Sequence, residues 1–266
     1  MPDNQPIWVY AIQNDGLLRW YRKDSAASSW QGPKQVSFNW NDFIDVFPAG
    51  GHRFFGVRPD GNLFWYRHNG FNDGSDDWNG PTLVGSAWDQ FSKRFAGDDG
   101  IVYAIRPDGS LLWYRYLNFR TSLPTHTWEG PKVVGSGWSQ FTQVFSMGEG
   151  VIYAVQPDGT LLWYRHNGYQ DGASFWTGPK IVGSAWQQFT TILPVGGGVI
   201  LAVTREGSML RYKHVNYQDG VSLTGRRITA QMSAQWEGPV EIGNGWSGFQ
   251  QIFALLPQPA SDGNQA

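Results

Sequence analysis

The sequence predicts an all-β chain closed into a five-bladed β-propeller, with four antiparallel strands per blade. Three observations predict it: a composite motif written five times at a period of about 48 residues, four short strand-like segments in each copy, and chain ends that are permuted relative to the repeat. Each copy carries Trp-x-Gly-Pro, opening at Trp30, Trp78, Trp128, Trp176 and Trp236. A second tryptophan follows ten positions on, at Trp40, Trp88, Trp138, Trp186 and Trp246, and a phenylalanine three later, at Phe43, Phe91, Phe141, Phe189 and Phe249. A turn glycine stands at Gly16, Gly61, Gly109, Gly159 and Gly207. Four residues past it come Trp20, Trp65, Trp113 and Trp163, with Arg211 in the last copy. Every tryptophan but Trp8 therefore falls at one of three repeat positions.

The copy at 141–183 shows the strands in order. FTQVFSMG, VIYAVQ, LLWYRH and GPKIVG are rich in β-branched and aromatic residues and are separated by Gly, Pro and Asp. Pro157-Asp158-Gly159 is a turn: proline presets φ and glycine accepts a positive one. Residues alternate in direction along a strand, so in VIYAV both faces are apolar and both must be covered. Sheets packed between like sheets meet that demand, and one copy cannot bury its apolar face alone.

The chain begins with a second strand, WVYAI, and finishes with a first strand, FQQIFALL at 249–256. The last strand is thus expected to complete the first blade, which removes the open edge of an unclosed array. The predicted organisation is one domain over 1–256, with copies at roughly 7–42 plus 249–256, 43–90, 91–140, 141–188 and 189–248. The segment 257–266, PQPASDGNQA, reads as a disordered tail.

Composition narrows the function. The 266 residues hold 20 basic and 22 acidic side chains, a net charge of -2, which argues against a nucleic-acid partner and its basic stripe. There is no cysteine, hence no disulfide framework and no thiolate metal site. No apolar run is long enough for a membrane-spanning helix, so no membrane insertion is expected. The start, MPDNQPIWVY, lacks the pattern of a secretory signal; the cytosol, or export by a route the sequence does not show, fits best.

Length variation collects between the third and fourth strands, at 23–29, 68–77, 116–127, 166–175 and 214–235. Such loops carry function on rigid scaffolds, although surface loops also drift. Two are near-copies, HNGFNDG at 68–74 and HNGYQDG at 166–172, with HVNYQDG at 214–220 close to them. Recognition or recent duplication explains such recurrence.

Flat aromatic faces with a polar tip suit carbohydrate, whose C–H side stacks on the ring. The candidates beside the variable loops are Trp30, Trp78, Trp128, Trp176 and Trp236, for which stacking on ligand and packing in the core stand as equal readings. Trp40 and its four counterparts read as core. Arg67, Arg115 and Arg165 share a strand face with Trp65, Trp113 and Trp163, and stacked guanidinium groups are a structural device as well as ready donors. The recurrent loops add His68, His166, Asn69, Asn167, Asp73 and Asp171 as candidate contacts. As catalysts or metal ligands the histidines fail, since a ring spreads equivalent residues apart, and His52 and His126 have no counterparts. The acidic stretch 69–77 does not fit a calcium loop: Phe71 stands where a ligand is needed, and Gly80 where the bidentate glutamate belongs. No nucleophile elbow or P-loop occurs, and near-identical blades leave no asymmetric set of acids and bases for a hydrolase. No enzymatic activity, cofactor or metal is expected.

The run VGSGWSQFTQVFSMGEGVIYAVQPDG at 134–159 resembles the repeat of tachylectin-2-like lectins, in which a glycine-rich stretch leads to Trp-x-x-Phe-x-x-hydrophobic-Phe and then Gly-x-Leu-Tyr-Ala-Val. Trp-x-Gly at 128–130 resembles the opening of that family's fourth strand. The likeness runs over about 7–256, in all five copies; it departs where Gly135-Ser136-Gly137-Trp138 is one residue shorter than the family's Gly-x-Gly-Gly-Trp, and in a richer third strand. The resemblance implies a five-bladed lectin with one N-acetylhexosamine (GlcNAc or GalNAc type) site per blade, between neighbouring blades. The alternative is a protein-interaction platform on the variable loop face, where the long last loop with Arg226 and Arg227 breaks the symmetry. Oligomeric state is left open by the sequence, and a monomer is compatible with it.

Overall fold

The computed structural model describes residues 5–25, 27–121, 127–221 and 235–255. Its twenty strands form five separate four-stranded antiparallel sheets. Blade 1 joins β20 (Gln251–Ala254) to β1 (Ile7–Ile12), β2 (Leu18–Lys23) and β3 (Gln31–Ser37). Blade 2 is β4 (Asp45–Gly50), β5 (Arg53–Val57), β6 (Leu63–His68) and β7 (Trp78–Gly85). Blade 3 is β8 (Lys93–Ala96), β9 (Ile101–Ile105), β10 (Leu111–Tyr116) and β11 (Trp128–Gly135). Blade 4 is β12 (Gln143–Gly148), β13 (Val151–Val155), β14 (Leu161–Gly168) and β15 (Ala173–Gly183). Blade 5 is β16 (Phe189–Gly196), β17 (Val199–Thr204), β18 (Met209–His214) and β19 (Trp236–Gly243). The first strands of successive blades, β20, β4, β8, β12 and β16, touch in a closed circuit and line the axis. Closure is the β20–β1 pairing, with Tyr10 opposite Phe253 and Ala11 opposite Ile252.

Each hairpin between second and third strands turns on a glycine at positive φ, from +81° at Gly61 to +92° at Gly207. The aspartate before it caps the turn: Oδ1 of Asp15, Asp60, Asp108 and Asp158 accepts the backbone N–H two residues on. The glycine carbonyl then accepts the N–H of the second tryptophan, as in Trp88 N to Gly61 O at 2.9 Å and Trp186 N to Gly159 O at 3.0 Å. The connection into the next blade is thereby tied to the turn of its own blade.

The core is divided. Five apolar clusters lie between adjacent sheets, one per blade junction, and each draws on two blades. Trp20, Trp65, Trp113 and Trp163 are among the largest fully buried side chains. Strands β9 and β13 are buried at every residue, as the two-faced apolar pattern requires. The expected tail at 257–266 lies outside the described residues.

Candidate functional site

Each fourth strand bulges in the same place. The register of β11 on β10 slips between Trp113 and Arg115, and the same slip recurs in the other four blades. The bulge holds the Gly-Pro pair, with a cis bond in all five copies. Glycine is required there: at Gly178, φ is +104° and a Cβ would meet the Trp163 carbonyl at 2.8 Å. The third-strand tyrosine opposite the bulge, Tyr21, Tyr66, Tyr114, Tyr164 or Tyr212, is left half-buried. Burial raises the pKa of every one of these phenols, to about 12 at Tyr66, so each is a neutral donor at physiological pH.

Beside this tyrosine the two repeat tryptophans meet. Trp186 lies 5.2 Å from Tyr212 and 5.3 Å from Trp236, ring centre to ring centre. Together with Ser184, Gln188, Phe189, Gly238 and Pro239 they enclose a cavity of about 220 Å³ at the junction of blades 4 and 5. The same trio recurs at each junction, with tryptophan–tyrosine separations of 4.9 Å for Trp40–Tyr66 and Trp138–Tyr164, 5.0 Å for Trp88–Tyr114 and 4.6 Å for Trp246–Tyr21.

The fourteen predicted contact residues separate into two groups. Trp30, Trp78, Trp128, Trp176 and Trp236 stand at these junctions, half-buried. They also bind the blades: each indole N–H donates across the junction to a carbonyl of the preceding fourth strand, Ile242, Val36, Val84, Val134 and Val182 in turn, at 2.7–2.8 Å. Of the two readings that the sequence left equal, packing is therefore a role of all five side chains, and each keeps part of its ring exposed.

The remaining nine lie about the recurrent loops, and the geometry makes most of them structural. The loop of one blade is clasped by the blade before it. Nε1 of Trp20, Trp65, Trp113 and Trp163 donates to the carbonyl of Phe71, Phe119, Tyr169 and Tyr217. Nζ of Lys34, Lys132 and Lys180 donates to the carbonyl of Asp73, Asp171 and Asp219, at 2.5 Å each. Gly74, Gly172 and Gly220 fit flat against Trp20, Trp113 and Trp163. This lysine becomes Thr82 and Val240 in the two blades whose successor lacks the Asp-Gly loop. Arg115 and Arg165 donate to the carbonyls of Gln170 and Gln218, while Arg67 is exposed. The cation over the third-strand ring is the lysine, 4.8 Å from the Trp163 ring centre for Lys180, rather than the strand's own arginine.

His68 and His166 are fully buried and present no surface to a ligand. Nδ1 of His68 accepts from Tyr10 of blade 1 at 2.6 Å, and its Nε2 donates to the Ser75 carbonyl at 2.7 Å. Nδ1 of His166 accepts from Tyr103 of blade 3, and its Nε2 donates to the Ala173 carbonyl, both at 2.8 Å. Tyr153 and His214 repeat the cross-blade bond at 2.6 Å. Burial lowers the pKa of all three imidazoles, to about 4 at His214, which keeps them neutral. Asn69 donates to Asp77 of its own loop and to Asn79 on β7, and Asn167 donates to Thr177 on β15, each within its own blade. The carboxylates of Asp73 and Asp171 accept from Ser75 and Ala173, again within the loop. Arg226, Arg227 and His126 lie outside the described residues. Among the described residues no group of three His, Asp or Glu is placed to hold a metal ion, and no helix is long and apolar enough to cross a membrane.

The sequence reading missed the five tyrosines, Ser184, Gln188 and the Gly-Pro wall. Their signal was there, since the tyrosine follows the third-strand tryptophan or Arg211 in every copy, but nothing in one dimension shows it facing the segment that leads into its own blade.

Comparison with known proteins agrees with this architecture. A solved symmetrical protein, from work on the de novo evolutionary emergence of such proteins, superimposes with a TM-score of 0.59 at 18% identity, over 95% of this chain and 100% of that one. The BP39L lectin from Burkholderia pseudomallei gives a TM-score of 0.40 at 17% identity over 91% and 67% of the two chains. The SapL1 lectin in complex with alpha methyl fucoside gives 0.46 at 14% identity over 92% and 80%. Only the first of these is close enough to show a shared fold, and it shows the fold alone. No curated protein matches the chain. The family model for Tachylectin matches residues 4–130 and 82–238, which together take in most of the sequence, and the chain belongs to the Tachylectin family.

Proposed function

We propose that the chain is a multivalent, non-enzymatic lectin for glycans bearing N-acetylhexosamine, with its sites at the blade junctions. The observation that carries this reading is the junction cavity of about 220 Å³, walled by Trp186, Tyr212 and Trp236 and rimmed by Ser184 and Gln188. It is smaller than the ~300 Å³ at which drug-sized pockets begin, and fits a single sugar ring. Aromatic faces take the C–H side of that ring, while a hydroxyl, an amide and a neutral phenol serve its oxygens and its acetamido group. Family membership supports carbohydrate as the ligand class. One shallow site of this kind binds with a Kd on the order of millimolar, about -4 kcal/mol. Several sites on one rigid ring gain roughly 10²–10⁴ by engaging a decorated surface together.

The test is a glycan array followed by competition with free N-acetylglucosamine. Binding to terminal N-acetylhexosamine that the free sugar displaces is expected; binding to no glycan ends the reading. Trp78→Ala and Trp176→Ala weaken sugar binding in this scheme, but both also cut a cross-blade bond. Gln140→Ala and Tyr164→Phe are the cleaner probes.

A further inference from the structure

The five junctions are not alike. Those between blades 2 and 3, 3 and 4, and 4 and 5 carry the same residue type at every position that walls the cavity at blades 4 and 5. Their rims present Ser86, Ser136 and Ser184 with Gln90, Gln140 and Gln188, all exposed. The glutamine is held by its own connection: Nε2 of Gln90 donates to the Ala87 carbonyl at 2.6 Å, and Nε2 of Gln188 to the Ala185 carbonyl at 2.8 Å. That leaves the side-chain carbonyl as an aimed acceptor. Ala87 and Ala185 sit at φ of +60° and +65°, a strained backbone for alanine that keeps this corner in shape.

The other two junctions depart at those rim positions. Between blades 1 and 2, Phe38 replaces the serine and is 63% exposed, and Asp42 replaces the glutamine. A bare phenyl ring stands where a hydroxyl is offered elsewhere, and a short anionic carboxylate replaces an amide that both donates and accepts. Between blades 5 and 1, Asn244 and Gly248 take the two places, so the glutamine amide is lost and an asparagine amide stands where the serine hydroxyl is offered at the matching junctions. The aromatic wall changes there too. Trp246 and Trp30 are inclined at 60°, against 43–48° for the four other pairs, and Phe249 is only partly buried.

We propose that the protein is trivalent. The three matching junctions bind one sugar class, and Phe38 with Asp42, and Asn244 with Gly248, exclude the remaining two from it. The proposal rests on the lectin reading above. The three sites are consecutive, so they occupy one arc of the ring and a decorated surface is engaged from one side of the propeller. Each excluded junction loses one rim hydrogen-bonding group outright, to Phe38 or Gly248, and has the other altered in kind, to Asp42 or Asn244, which corresponds to affinity about tenfold lower.

The test uses the full chain with 15N-labelled tryptophan indoles, titrated with N-acetylglucosamine and followed by NMR. Signals of Trp88, Trp138, Trp186 and their partners Trp128, Trp176 and Trp236 are expected to shift with a common dissociation constant. Those of Trp40, Trp78, Trp30 and Trp246 stay in place. In Phe38→Ser/Asp42→Gln, the Trp40 and Trp78 signals join the moving set, with about a tenfold gain at that junction. The unmoved positions of the other indoles in the free variant show that it folds. Five junctions shifting alike, or a double variant whose Trp40 and Trp78 signals stay still, overturns trivalency and leaves the lectin reading intact. No shift anywhere, together with an array that binds no glycan, overturns both.

Discussion

Changing Tyr103 to Phe removes one oxygen from a buried bond that joins two blades. The Tyr103 ring is 1% exposed and His166 is 0% exposed, so no water replaces the lost donor. The Tyr103 hydroxyl donates to His166 Nδ1 at 2.8 Å, while His166 Nε2 is already committed to the Ala173 carbonyl. The variant leaves Nδ1 an orphaned acceptor in a dry site. That costs about 1–3 kcal/mol, more than the ~1 kcal/mol net worth of an ordinary hydrogen bond, because desolvation is uncompensated. The junction between blades 2 and 3 supplies an internal control. There Phe55 and Tyr116 occupy the two positions, 6.1 Å apart, and among the described residues no imidazole lies between the blades. The double variant Tyr103→Phe/His166→Phe removes donor and acceptor together and should recover all but about 1 kcal/mol, the remainder being the donor that the Ala173 carbonyl loses, since replacing both partners by apolar groups is nearly neutral. Urea unfolding followed by tryptophan fluorescence reads both. A single variant as stable as the parent, or a double variant no better than the single, refutes the idea that tyrosine and histidine are paired across the blades.

Acid should weaken the fold through the same imidazoles. Their folded pKa values are lowered by burial, so as pH falls the unfolded chain takes up protons first. Their stabilisation is complete above about pH 6.5, the unfolded value, and drains away towards about 4, the folded value of His214; urea midpoints across that range check it, and the double variant should show a shallower decline. Arg94 on β8, whose side chain is 6% exposed, pairs at 3.2 Å with Asp45 on the neighbouring first strand, β4. Asp45→Ala should cost about 3 kcal/mol by stranding the guanidinium, whereas Asp45→Gln/Arg94→Val, the residues of blade 4 at Gln143 and Val144, should be close to neutral in the same assay. Gly172→Ala sets a Cβ 2.6 Å from the Trp113 ring at a φ of +71° and should cost about 1–3 kcal/mol, with faster proteolysis at 166–175 as its signature. Gln140→Ala should lower sugar affinity at one junction about tenfold and shift stability by no more than about 0.5 kcal/mol, read by titration and by urea.

The number of blades, the strand order within each and the sharing of blade 1 between the two chain ends followed from the sequence alone. These are one-dimensional facts, carried by a motif period, an alternation of two and a permutation. The turn glycines were equally legible, because Asp-Gly flanked by apolar runs has a local cause. What the tertiary structure decided is which blade each side chain serves. His68 and Asp73 read as ligand contacts because their loop recurs, and recurrence has two physical sources. Here the source is the preceding blade: Tyr10, Trp20 and Lys34 hold that loop, and Lys34 gives way to Thr82 where the next loop changes. Tyr212 and Gln188 went unnoticed because their importance lies in facing Trp236 across a fold in the chain. A repeat tells which residues are equivalent; only the angle between neighbouring sheets brings residues some fifty positions apart into contact, and that packing separates a clasped loop from an open aromatic cavity.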